Sequence, residues 1–261
     1  AAGMAGVAPR QVLAQAEDSP ETPTTIITRK LGKTGIELPV VSMGVMNASI
    51  PDIVQASYEM GIRHFDTAAW YQFGRNEQMI AKAINRLKVR DQAIIVTKCM
   101  TEGERSNTTP EQVKKRLLAN VDGSLRRMKT DYLDGLLIHE VRDEATVRNE
   151  ALKEALVQVK SEGKVRFTGL TTHANMTEVI KATTADGSYD VILTSFNLTM
   201  HDDEIVEAVK AAAEAGIGII AMKTQAGGAA FPNPDTLRTF DNATINSAAL
   251  KWVLNRDYIT T

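Results

Sequence analysis

Phe65-Asp66-Thr67-Ala68-Ala69-Trp70-Tyr71 is the stretch from which the fold can be read. An apolar run ends in a carboxylate, and a phenol follows a few residues later. Read as a strand giving way to a loop, the stretch sets an acid and a tyrosine at one strand end. Further along, Ile94-Ile95-Val96-Thr97 closes on Lys98, and Leu136-Leu137-Ile138 closes on His139. Three apolar strands therefore each deliver an ionisable group at the C-terminal end. In an α/β barrel that is the end that carries the chemistry.

The pattern around these strands predicts such a barrel. Residues 26–31 and 36–40 flank Gly32-Lys33-Thr34-Gly35, a hairpin signal. Strands are expected at 40–46, 64–67, 93–98, 133–139, 166–171, 191–195, 217–222 and 258–261. These are short apolar runs without alternation, as suits a parallel sheet covered on both faces. Helices are expected at 50–60, 76–87, 109–129, 149–162, 174–185, 201–215 and 245–256. The clearest begins with Thr109 as N-cap, Pro110 in the first position and Gln112 completing a capping box. Gly61, Gly163 and Gly216 stand where helices stop. Strict strand–helix alternation with right-handed crossovers leads to a closed (β/α)8 TIM barrel, here ending within its eighth strand.

The 261 residues suit one such barrel. The expected division is a leader and flexible linker over 1–26 and a barrel over 27–261. A composition of 43% apolar and 24% charged residues with net charge −2 gives no basic excess for nucleic acid. No apolar run is long enough to span a bilayer as a helix. Cys99, the single cysteine, excludes an intramolecular disulfide and a cysteine metal cluster, and no metal site is expected. Its place after Lys98 suits a small buried residue or a pocket wall. Ala1 to Ala8 and the Ala14-Gln15-Ala16 triplet before Glu17 are similar to the later part of a secretory signal, closest to a twin-arginine type. That reading makes the protein exported to the periplasm. An alanine-rich leader of a cytoplasmic protein is the alternative.

The ionisable groups suggest proton delivery. A phenol has an ordinary pKa of about 10. An ammonium about 4 Å away favours the phenolate by roughly 4 kcal/mol at an effective dielectric of about 20. Lys98 would thus bring Tyr71 down by about three units, to near 7. Asp66 is the carboxylate available to anchor Lys98, and His139 can donate a hydrogen bond that orients a carbonyl. Nothing among these groups supplies electrons, and a nicotinamide cofactor would fill that gap.

With those residues in place, the sequence from about residue 28 onward resembles the aldo-keto reductases. The motifs are Arg29-Lys30-Leu31-Gly32-Lys33-Thr34-Gly35 with Met43-Gly44, then Gly61-Ile62-Arg63-His64-Phe65-Asp66-Thr67-Ala68 with Tyr71 and Glu77. Thr97-Lys98, Asp131-Tyr132-Leu133-Asp134 with His139, and Gly218-Ile219-Ile220-Ala221-Met222-Lys223 with Gly227-Gly228 follow in order. The resemblance implies a (β/α)8 barrel plugged by an N-terminal hairpin, and NADPH-dependent reduction of a small aldehyde or ketone. It makes Tyr71 the proton donor, tuned by Lys98 and Asp66, with His139 orienting the carbonyl.

The cofactor side of the family pattern is altered. Thr171 and Thr172 stand where the family has Ser-Asn for the carboxamide. Leu193 takes the place of a glutamine, leaving Asn197 as the nearest amide, and Met222 takes the place of a stacking aromatic. Gly44, Met46 and Lys223 complete the expected cofactor contacts, while Trp70 and Met100 are expected in the substrate pocket. NADP(H) over NAD(H) follows from the resemblance alone, because the family's basic segment for the 2′-phosphate has no counterpart within residues 1–261. Gly169-Leu170-Thr171-Thr172-His173 and the 222–228 pattern are similar to a subgroup of exported bacterial members, some with a C-terminal iron–sulfur segment.

Blander readings apply to other residues. His64 inside a strand is expected as a satisfied core residue. His173 is a pocket candidate, and His201 is expected at a helix start with Asp202 and Asp203. Lys114-Lys115-Arg116 with Arg126-Arg127 read as a solvated helix face. A rival to the enzyme is a nicotinamide-nucleotide-binding barrel acting as a sensor or subunit with negligible turnover.

Overall fold

Thr28–Lys30 (β1) and Glu37–Pro39 (β2) form the expected hairpin, with Arg29 opposite Leu38. This is seen in a computed structural model of the protein, which describes residues 25–100, 108–200, 202–225 and 245–261. Gly32 turns with φ +50°, and a Cβ there would stand 2.4 Å from the Gly216 carbonyl oxygen. Only glycine allows that approach, which docks the hairpin on the main sheet. Leu31, Ile36 and Leu38 are buried against Val96, Leu137, Phe167, Leu193 and Ile220, so the hairpin stoppers the sheet's interior.

The main sheet is parallel throughout, with strands in sequence order. They are Met43–Gly44 (β3), His64–Asp66 (β4), Ile94–Met100 (β5), Leu133–His139 (β6), Val165–Thr172 (β7), Val191–Ser195 (β8) and Gly218–Met222 (β9). The helices are Pro51–Glu59 (α1), Arg75–Leu87 (α2), Pro110–Met128 (α3), Glu144–Val147 (α4), Glu150–Ser161 (α5), Met176–Asp186 (α6), Asp203–Glu214 (α7) and Ile245–Leu254 (α8). The short α4, capped by Asp143, lies outside the expected set. At α3 the capping box forms as the sequence indicates, Gln112 N–H donating to Thr109 Oγ1 and Thr109 N–H to Gln112 Oε1. Asp202 caps α7. His201, Gly227, Gly228 and the leader up to residue 24 lie outside the described residues.

Two strand expectations change. The first strand shortens to Met43–Gly44, because only those residues pair with β4; Val40 instead donates its N–H back to Ile27 beside the hairpin. Residues 258–261 form no regular strand, although they occupy the eighth place. Thr260 N–H donates to the Ile219 carbonyl and Ala221 N–H to that of Thr261, both at 2.8 Å, which continues the parallel pairing onto β9. On the other side the link is by side chains, Ser42 Oγ to Thr261 Oγ1 at 2.5 Å. The curled sheet is closed there by hydroxyls rather than by a ladder.

Alternate strand residues divide the core. Phe65, Ile95, Cys99, Leu136, Ile138, Leu170, Ile192 and Ile219 pack outward against the helices. Val96, Leu137, Phe167, Leu193 and Ile220 face inward. Strand alternation then puts His64, Asp66, Lys98, Met100, His139, Thr171, Ser195 and Met222 on the interior face too. On the outer side Asp134 takes Arg90, Arg166 and the Ile95 N–H, binding three neighbouring strands' ends. No helix among the described residues is long and apolar enough to cross a membrane.

Candidate functional site

Asp66 ends β4, Lys98 lies two residues before the end of β5, and His139 ends β6. Lys98 Nζ donates to Asp66 Oδ1 at 2.5 Å and to the Thr67 carbonyl at 2.7 Å. The lysine is 2% exposed, so its charge is held by those two oxygens rather than by water. Tyr71 opens a 3-10 turn, Tyr71–Gly74, directly after the β4 loop. Its ring centroid is 5.2 Å from Lys98 Nζ and 5.8 Å from the His139 ring, which it meets edge-on. The four residues singled out at three strand ends therefore form one cluster.

The loop that carries Tyr71 is tied down on several sides. Thr67 N–H donates to Val96 and Ala69 N–H to Lys98. Thr67 Oγ1 donates to the buried Asn76, whose Nδ2 reaches the Val45 and Ala48 carbonyls. Gln72 and Phe73 adopt left-handed conformations, φ 52° and 57°, costing on the order of 1 kcal/mol each for a side-chain-bearing residue. Gln72 Nε2 holds this turn to the Met46 and Ala48 carbonyls. Buried Glu77 accepts from Thr97 Oγ1 and from Arg127 Nε, fixing β5 beside Lys98. Arg127 thus departs from the expected solvated face: α3 directs it at a buried carboxylate.

The electrostatics of the phenol run opposite to the expectation. Burial raises the Tyr71 pKa to about 12, and Asp66 and then Glu140 add to the rise. Lys98 does not bring it near 7: burial dominates, and Asp66, bonded to the ammonium, raises the phenol further. Burial also raises the Asp66 carboxyl, against the pull of Lys98. His139 is lowered to about 4 by burial, then by Lys98, with Glu140 opposing. Trp70 Nε1 donates to His139 Nδ1 at 3.2 Å, although the indole is 55% exposed. The Tyr71 and His139 rings are therefore both neutral across the physiological range.

On the opposite side of the barrel mouth, several hydroxyls and amides are already engaged. Thr171 Oγ1 accepts the Glu140 N–H, and Thr172 Oγ1 donates to the Ala174 carbonyl. Asn197 Nδ2 donates to the Lys223 carbonyl, and its Oδ1 accepts from Thr199. Lys223 has φ 54° where the chain leaves β9. Leu193 is buried in the interior apolar cluster. Two residues further on the same face, Ser195 is 8% exposed and its Oγ has no hydrogen-bond partner. Ser195 stands level with Met222 in the pairing of β8 and β9. Met100 is level with His139, and Met46 is half exposed beside Gln72; Gly44 pairs with Asp66.

Residues 43–261 match the sequence profile of the Aldo/keto reductase family. The chain belongs to that family. It is 29% identical to an L-galactose dehydrogenase of Arabidopsis thaliana over 220 residues, covering 78% of this chain and 67% of that protein. It is 30% identical to an aldo-keto reductase of Bacillus subtilis over 119 residues, covering 46% and 35% respectively. The chain thus spans from about a third to two thirds of these relatives' length. A solved aldo-keto reductase from Bacillus halodurans, in its holo form, superposes with a TM-score of 0.74 at 23% identity, over 91% of this chain and 85% of that one. The chain therefore has the family's barrel fold, with the hairpin lying ahead of the matched residues.

Two residues at the site, Glu140 and Ser195, are not singled out by the sequence pattern, and a third, His64, differs from its expected place as a satisfied core residue. Glu140 follows His139 in a left-handed conformation, φ 57°, which turns its carboxylate towards His173 Nε2, 3.6 Å away. In the sequence only its adjacency to His139 marks it. Ser195 is hidden because its apolar neighbours make β8 read as plain core. His64 is half satisfied: Nδ1 meets Ser42 Oγ at 2.8 Å, while Nε2 has no partner and burial lowers the ring to about 3. Cys99 proves to be a packing residue on the outer face, its thiol pushed up to about 12 by burial.

Proposed function

We propose that this protein reduces an aldehyde or ketone with Tyr71 as proton donor. The observation that carries the reading is the convergence of Tyr71, His139 and the Lys98–Asp66 pair at the C-terminal ends of adjacent parallel strands. Carbonyl reduction develops negative charge on oxygen. A phenol that keeps its proton to about 12 delivers it only to a strong base, such as the nascent alkoxide. The neutral His139 ring hydrogen-bonds the same oxygen and fixes its approach, as a preorganised donor does. Lys98 and Asp66 position the phenol and contribute little net charge, since they neutralise each other.

A nicotinamide dinucleotide, when bound, supplies the hydride. The interior face supports that choice: Ser195 presents an unpartnered buried hydroxyl beside Met222, a polar contact next to a polarizable surface on which a ring can lie. Gly44, Met46, Thr171, Thr172, Asn197 and Lys223 surround the same mouth. The family resemblance favours NADP(H), and Trp70 and Met100 are assigned to the substrate side.

Replacing Tyr71 by Phe is expected to lower turnover of 4-nitrobenzaldehyde by about 10²- to 10⁴-fold, the usual worth of a general acid. NADPH binding, read by quenching of protein fluorescence, should persist. Retained turnover removes the proton-donor assignment. The engagement of Thr172 and Asn197 within the protein favours a second reading, a nucleotide-binding barrel without turnover. Single-turnover mixing of the parent chain with NADPH and aldehyde separates the two.

A further inference from the structure

The geometry points to Trp70 as the residue that fixes which nitrogen of His139 carries the proton, a role that rests on the reductase reading of the site. An indole nitrogen is a donor only. With Trp70 Nε1 at 3.2 Å, His139 Nδ1 must present its lone pair. The neutral ring then carries its single proton on Nε2, leaving one donor free for a substrate oxygen.

The surroundings reinforce this arrangement. Lys98 on β5 opposes a positive charge on His139, while Glu140 beside it and His173 beyond β7 act in opposite senses. Asp66 is occupied by Lys98 and does not orient the imidazole. No carboxylate or backbone carbonyl among the described residues is paired with Nδ1, so the orienting group usual for a functional histidine is replaced by an indole N–H. A donor at Nδ1 stabilises the neutral ring and disfavours imidazolium, whereas a carboxylate would do the reverse. Trp70 is also the residue before Tyr71. The three ring centroids of Trp70, Tyr71 and His139 lie 5.8 to 6.4 Å apart. One turn therefore places the phenol and sets the imidazole's tautomer together. A merely packing indole would need no polar contact, since more than half of it faces solvent.

The test is 15N NMR of the histidine rings in the parent chain and in Trp70→Phe, with His139→Gln used to assign the signals. In the parent, His139 should show a proton-bearing Nε2 and a lone-pair Nδ1, unchanged from about pH 5.5 to about pH 8. In Trp70→Phe, Nδ1-protonated ring should appear and the titration midpoint should rise toward the ordinary ~6.5. The kcat/KM for 4-nitrobenzaldehyde should fall by about five- to tenfold with NADPH affinity unchanged, the scale of one hydrogen bond. A proton on Nδ1 in the parent overturns the inference without any variant. So does a Trp70→Phe protein with the parent's tautomer and titration, or with the parent's kcat/KM. If the NMR differences appear but neither protein reduces the aldehyde, the tautomer assignment stands and the reductase reading fails.

Discussion

Lowering the pH should cost this protein more stability than the variant His64→Gln, by an amount that follows from one buried ring. Burial holds His64 at about 3, with Lys98 adding to the effect. In the unfolded chain the same imidazole titrates near ~6.5. A depressed folded pKa means that the stabilising difference is present above ~6.5 and is lost as the pH falls towards the folded value. Between about pH 7 and about pH 4.5 the unfolded state gains a proton that the folded state refuses, worth about 2.5 kcal/mol. At ~2–4 °C per kcal/mol for a chain of this size, that is about 5–10 °C in Tm. Glutamine can still meet Ser42 and has no titration of its own. Circular dichroism melts of both proteins at both pH values give the double difference, in which carboxylates and the other histidines cancel. Equal acid-induced shifts in the two proteins would refute the argument and mean that His64 reaches solvent or an anion before the fold opens.

Replacing Lys98 by Met strips Asp66 of its counter-charge in a buried place, and urea titration near pH 7 should show a loss of about 3–5 kcal/mol. Part of it should return in acid, where the carboxyl protonates. The reductive kcat/KM should stay flat from about pH 5.5 to about pH 9, because His139 is neutral above about 4 and Tyr71 keeps its proton to about 12. A limb falling near pH 7 would instead restore a lysine-tuned phenol. Gly169→Ala sets a Cβ 2.0 Å from the Val191 carbonyl oxygen, so β7 and β8 must part. A loss of about 3 kcal/mol or more in the urea midpoint is expected.

Much of this site is local in origin, which is why the sequence discloses it. Asp66, Lys98 and His139 each end an apolar run, and the strand period alone aims them at one interior. The turn residues Gly32 and the cap Thr109 act within a few positions of themselves, so hairpin and α3 appear as the sequence reads. What the sequence conceals depends on distance. The Tyr71 pKa is raised first by burial and then by Asp66 and Glu140, an environment assembled from several strand ends and not from any one alone. Trp70 meets His139 across 69 positions, and Arg127 reaches Glu77 across 50. The last residues read as a strand by composition, yet they pair on one side only, since Ser42 offers a hydroxyl where a ladder would need a backbone partner.

Arg29 on β1 donates to the carbonyls of Leu254, Arg256 and Ile259, contacts that span 225 to 230 residues. Thr260 Oγ1 donates in turn to the Lys30 carbonyl. A ribosome making ~5–20 residues per second delivers those partners roughly 10–50 s after Arg29 leaves the tunnel. Throughout that interval the guanidinium lacks its acceptors and Leu31, Ile36 and Leu38 lack the finished end of the cylinder. Synthesis from the N-terminus therefore leaves the hairpin waiting on partners made more than 220 residues later. A nascent chain stalled before residue 254 should expose an oily hairpin that chaperones would find and that the folded chain conceals.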